Sequence, residues 1–101
     1  MKPYIDLKGA SGAVYRYKLA EDHDPRTTIA GNFVYVDEAG TVLMAGEANN
    51  LHASGARFSE AAEKHGATLL YTRLNVSGAS RTDEYNDLVT ALDPVMNREE
   101  A

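Results

Sequence analysis

The chain has 101 residues and a mass of 11.0 kDa, the scale of one domain that buries roughly two thirds of its unfolded surface. With 44% hydrophobic and 25% charged residues its composition is ordinarily globular, which excludes extensive disorder, and the absence of cysteine excludes disulfides, thiol nucleophiles and cysteine zinc sites. The net charge of −5 argues against a broad phosphate-gripping face, because counterion release at clustered Lys and Arg supplies most non-specific affinity for nucleic acid.

The opening MKPYIDLKG lacks the apolar run of a signal peptide, and no stretch is long enough to cross a bilayer, so the expectation is a cytoplasmic protein with no membrane partner. Tyr4 to Lys8 alternates apolar and polar residues, Gly9-Ala10-Ser11-Gly12 supplies a turn, and Val14 to Leu19 alternates again. This pattern predicts a hairpin with Tyr15, Tyr17 and Leu19 on one face. Residues 20–28, with Asp24-Pro25 inside, read as a loop.

Asn32 to Val36 is apolar on both faces and predicts a central strand, followed by a turn at Asp37 to Gly40 and a partner strand from Thr41 to Ala45. Leu51, Phe58, Ala61, Ala62 and His65 fall at helical spacing, with Asn49 or Asn50 as N-cap and Gly66 as terminator. A further strand runs from Ala67 to Leu74. Ser80 and Asp83 then form a capping-box-like start for a helix carrying Tyr85, Leu88, Val89 and Leu92, which Asp93-Pro94 ends. The fold class is α+β: one domain over residues 1–101, with a core of about 29–97, an extra N-terminal hairpin over 3–20, a small mixed or antiparallel sheet, and two helices packed on it.

Several signatures fail. Gly9 to Gly12 lies between two strands and lacks the following helix of a phosphate-binding loop, His23, His52 and His65 lack ligand spacing, and no G-x-S-x-G turn marks a nucleophile.

From Gly31 to Asn97 the pieces keep a fixed order: Gly31-Asn32-Phe33 begins a strand, Met44-Ala45-Gly46 ends its hairpin partner, and Asn50-Leu51 opens a helix. Glu84 lies in the first turn of the final helix and Pro94-Val95-Met96-Asn97 follows that helix. This arrangement resembles the GIY-YIG nuclease superfamily, and GASGAVYRYKL is similar to the extra hairpin of short bacterial proteins with such a domain. The resemblance implies phosphodiester hydrolysis in active members: motif tyrosines that help activate water, a helix arginine on the phosphate, a glutamate holding one divalent metal, and a supporting asparagine.

Carried onto this sequence, the tyrosine positions fall at Phe33 and Met44, neither of which can accept a proton, and the arginine position falls at Ser54. Arg57 is its nearest substitute, and Tyr35 is a stand-in phenol on the face of Phe33. Glu84 is the metal candidate, for Mg²⁺ or Mn²⁺ if activity remains; Gly46, Asn50 and Asn97 are the substrate-contact candidates. Each also has a packing or capping reading, Glu84 at the positive end of a helix dipole among them. The expectation is a nuclease-like domain that has lost its chemistry and serves as a binding or interaction module. A divergent metal-dependent DNA endonuclease and a protein-binding subunit without a nucleic-acid role are the alternatives, so nucleic acid and protein both stand as partners.

Overall fold

The computed structural model describes residues 2–100. Five strands, β1 (Tyr4–Lys8), β2 (Val14–Leu19), β3 (Gly31–Asp37), β4 (Val42–Ala48) and β5 (Ala67–Leu74), form one sheet in the order β1-β2-β5-β3-β4, with antiparallel ladders throughout. Helices α1 (Phe58–His65), α2 (Gly78–Leu92) and α3 (Val95–Glu100) complete it. The class is α+β, as the alternation of hydrophobic residues predicts. No helix among the described residues is long and apolar enough to cross a membrane.

Strand alternation sends successive side chains to opposite faces, so the sheet carries two cores. Phe33, Tyr35, Met44 and Leu70 face one side, where Leu51, Phe58, Ala61 and Met96 cover them from α1, α3 and the turn before α1. Tyr17, Val34, Val36, Ala45 and Tyr71 face the other, under Leu88 and Val89 of α2. β3 is buried along nearly its whole length because it lies between β5 and β4 with helices on both faces. The β3–β4 turn is closed by the Asp37 carboxylate, which accepts from the Thr41 amide at 2.8 Å.

Three helical expectations are corrected. The helix predicted from Leu51 onward is two pieces, a 3-10 turn at Leu51–Gly55 with Asn50 as N-cap, then α1 from Phe58; Gly66 ends α1 in the left-handed conformation at φ 77°. The N-cap of α2 is Ser77, whose hydroxyl accepts from the Ser80 amide, so Glu84 sits in the second turn and outside the reach of the N-terminal dipole. Asp93-Pro94 ends α2 as predicted, but the chain then re-enters a helix as α3, since proline is favoured near a helix start where its missing N–H costs nothing.

The N-terminal hairpin docks on α2 through one carboxylate. Asp87 accepts from the Ser11 hydroxyl at 2.6 Å, the Ser11 amide at 2.7 Å and the Tyr15 hydroxyl at 2.7 Å. The Ser11 hydroxyl, with Tyr15 and the Ser11 amide, holds the Asp87 carboxyl below the usual range, and the bond to Asp87 raises the Tyr15 phenol. A carboxyl lowered in the folded state contributes stability above its ordinary value, near about 3.9, and loses it as pH falls through the lowered value. An NMR titration of Asp87 is expected to give a midpoint below the ordinary aspartate value; a midpoint at or above it removes this docking role.

Gly46 lies opposite Phe33, and a Cβ built there would sit 2.3 Å from the Phe33 ring. Gly46→Ala is therefore expected to destabilise the fold by about 1–3 kcal/mol through overpacking, and a smaller side chain at Phe33 to recover part of that loss. Urea unfolding of the two single variants and the double variant measures the coupling.

Candidate functional site

The residues at the nuclease-like motif positions divide between the two faces of the sheet. On the α1 and α3 face, Phe33 and Met44 are each 8% exposed and belong to the core. Tyr35 is paired with Met44 across β3 and β4, and its ring lies 5.4 Å from Phe58 in an edge-on contact. Its hydroxyl donates to the Ser54 carbonyl at 2.5 Å and accepts from the Arg57 amide at 3.3 Å. Burial raises the Tyr35 phenol, opposing the loss of a proton.

Ser54, at the motif arginine's position, is buried and turns its hydroxyl back to the Leu51 carbonyl at 2.6 Å. Arg57 lies just before α1 rather than on one continuous helical face with Ser54, because the 3-10 turn breaks that helix. Its guanidinium is held between Glu60, at 2.9 Å through Nη2, and Glu100 at the end of α3. Two carboxylates thus neutralise the one cation proposed for a phosphate.

Glu84 lies on the opposite face. Its carboxylate, 3% exposed, accepts from the Tyr17 hydroxyl at 2.5 Å, from Arg73 Nε at 3.0 Å and from Asn75 Nδ2 at 3.4 Å. Burial, followed by the bond to Glu84, drives the Tyr17 phenol far above its ordinary value. Asn32, on the same face as Val34, donates to the Arg81 carbonyl at 3.1 Å and accepts from Asn75 at 3.4 Å. Arg81 in turn staples the loop after β5 to the β4 end: its guanidinium donates to the Asn75 and Val76 carbonyls and to Asn49 Oδ1. Hydrogen-bond donors and a guanidinium occupy both Glu84 oxygens, and among the described residues no three His, Asp or Glu side chains gather to hold a metal ion. This donor set does not fit a divalent metal.

The remaining candidates have local tasks. Asn50 Oδ1 accepts from the His52 amide and caps the 3-10 turn. Gly46 gives room for the Phe33 ring, and Gly31 lies similarly tight, where a Cβ would approach the Arg73 carbonyl to 2.2 Å. The side-chain amide of Asn97 behaves as one more peptide unit beside β4: the Ala45 amide donates to its Oδ1 at 2.9 Å and its Nδ2 donates to the Ala45 carbonyl at 2.8 Å. The helix residue that meets Asn97 is Tyr85, 3.2 Å away, while Glu84 points about one hundred degrees round the helix from it.

Of the sequence-derived candidates, Phe33, Tyr35, Met44, Gly46 and Arg57 come to one side of the sheet and Glu84 to the other. The residues that sequence reasoning missed are the partners of Glu84, Tyr17, Arg73 and Asn75, and Arg81, which holds the loop of Asn75 in place. A signal was present, since Arg73 shares the strand face of the buried Tyr71 and Tyr17 faces inward on β2, and a charge on an inward strand face demands a counter-charge.

Compared with known proteins, the chain matches no family model, no curated protein and no solved structure.

Removing the Glu84 carboxylate would leave Arg73 without its counter-charge and the Tyr17 hydroxyl without an acceptor. Glu84→Ala is expected to cost about 2 kcal/mol of stability, below the range for a fully buried ion pair because Arg73 is 37% exposed, and Tyr17→Phe less, about 1 kcal/mol. Equilibrium unfolding with and without Mg²⁺ checks both, the divalent ion leaving the wild-type midpoint unchanged.

Proposed function

We propose that this chain is a GIY-YIG-like domain whose nuclease chemistry has been replaced by packing and that acts as an interaction module. The observation that carries the reading is the separation of the motif positions: Glu84 lies under α2 with its carboxylate saturated, while Phe33, Met44, Tyr35 and Arg57 lie on the far face. Hydrolysis of a phosphodiester needs a base, a Lewis acid and a cation around one phosphorus atom. Here the phenol nearest the first motif is spent on the Ser54 carbonyl, and the nearest arginine on two glutamates.

The charge distribution favours a protein partner over nucleic acid. Among the described residues every arginine is engaged: Arg16 with Asp6, Arg26 with Asp24, Arg57 with Glu60 and Glu100, Arg73 with Glu84, Arg98 with Asp93, and Arg81 with Asn49 and two carbonyls. Phosphate contacts would have to compete with those carboxylates in a chain that is already negative.

The test is incubation of the purified chain with supercoiled plasmid, linear duplex and single-stranded DNA in Mg²⁺ and in Mn²⁺, beside Arg57→Ala and Tyr35→Phe. The expected result is no metal-dependent cleavage by any of the three proteins and no salt-sensitive retention of DNA. Cleavage by the wild-type chain that either substitution abolishes would overturn the reading and restore the endonuclease.

A further inference from the structure

The two edges of the sheet are treated differently. Along β4, Asn97 satisfies the outward amide and carbonyl of Ala45, so that edge is partly sealed by a side chain. β1, at the other edge, pairs among the described residues only with β2. The register fixes which of its backbone groups are unpaired: the Leu19 amide donates to the Pro3 carbonyl and the Gly9 amide to the Ala13 carbonyl, so the odd-numbered residues of β1 exchange bonds with β2. The amides and carbonyls of Tyr4, Asp6 and Lys8 therefore point outward, a row of the kind that templates pairing with another strand.

The side chains along this edge have a matching character. Asp6 and Lys8 are exposed on one face, two residues apart and of opposite charge; Asp6 is bridged to Arg16 on the β2 side at 3.0 Å, and its side chain is still 50% exposed. Ile5 and Leu7 are half-buried on the other, where they border a groove of about 690 Å³ floored by Val36, Leu69 and Tyr71. A second β1 laid antiparallel about a twofold axis through Leu7 meets all of these terms at once. Asp6 of each copy falls opposite Lys8 of the other in the hydrogen-bonding pairs, Leu7 meets Leu7 in the close pair between them, and the outward amides and carbonyls of both residues find partners. Centring the axis on Asp6 instead would set two carboxylates face to face, which cross-strand pairing penalises.

We infer that β1 is a self-association edge, joining two copies of this chain into one continuous sheet through Asp6–Lys8 pairs around Leu7. This inference is independent of the nuclease resemblance, since it uses only the edge strand and its register.

The experiment is sedimentation equilibrium of the full chain across micromolar to millimolar concentration, for the wild type and, in an Arg16→Ala background that removes the intrachain partner of Asp6, for the parent, Asp6→Lys, Lys8→Asp and the double reversal. All the substituted side chains are exposed, and far-ultraviolet circular dichroism checks that each variant is folded. Each single reversal turns two attractive pairs into two repulsive ones and is expected to weaken dimerisation about tenfold, while the double reversal restores it. Amide exchange gives a second readout: the Asp6 and Lys8 amides become slower to exchange as concentration rises. A chain that stays monomeric throughout, a dimer insensitive to the single reversals, or a double reversal that fails to restore association would each overturn the inference.

Discussion

A single buried carboxylate connects parts of the chain that are distant in sequence. Glu84 projects from α2 and receives the Tyr17 hydroxyl from β2, the Arg73 guanidinium from β5 and the Asn75 amide from the loop that leads into α2. Transferring that carboxylate from water is costly unless its lone pairs are filled, so the N-terminal hairpin, the central sheet and the long helix must come together for any of them to be well placed. Asp87, one turn further along α2, repeats the device at the surface by gripping the hairpin turn. The N-terminal hairpin is thus an integral part of the sheet and shares its core.

The same constraint explains why the nuclease-like positions do not form one site. A strand alternates faces with every residue, and α2 sits on one face while α1 and α3 sit on the other. Once Glu84 is committed to Tyr17 and Arg73, it is separated from Phe33, Met44 and Arg57 by the thickness of the sheet. Each face is then completed by what lies nearest: aromatic packing of Phe33, Tyr35 and Phe58 on one side, and the polar network of Asn32, Asn75, Arg73 and Arg81 on the other. The order of these positions along the chain thus does not bring them to one site, and function has to be argued from the residues that do meet.

Charge follows a parallel economy. The arginines that look scattered in sequence are each brought to a carboxylate or to carbonyl groups, several across long separations, as with Arg57 and Glu100 or Arg73 and Glu84. Under the interaction reading proposed above, such a chain would offer contacts of shape and backbone more than a gathering of polyanions. The exposed rows of β1, with its unpaired amides and alternating side chains, are the clearest surface of that kind.

The sequence by itself determined the strands, because alternating and fully apolar runs carry their period in the residue order: the hairpin of Tyr4 to Leu19, the buried run Asn32 to Val36 and the strand from Ala67 were all legible. It also determined that Phe33 and Met44 cannot act as proton acceptors, since that is a property of the side chains alone. Tertiary structure decided the rest. The break between the 3-10 turn and α1, the choice of Ser77 over Ser80 as cap, and the continuation into α3 depend on competing local signals that only packing arbitrates. Glu84 is the sharpest case: the sequence offers a carboxylate on a helix, but whether it faces a metal, a phosphate or an arginine is set by the rotation of α2 against the sheet, and that rotation follows from burying Leu88 and joining Tyr17.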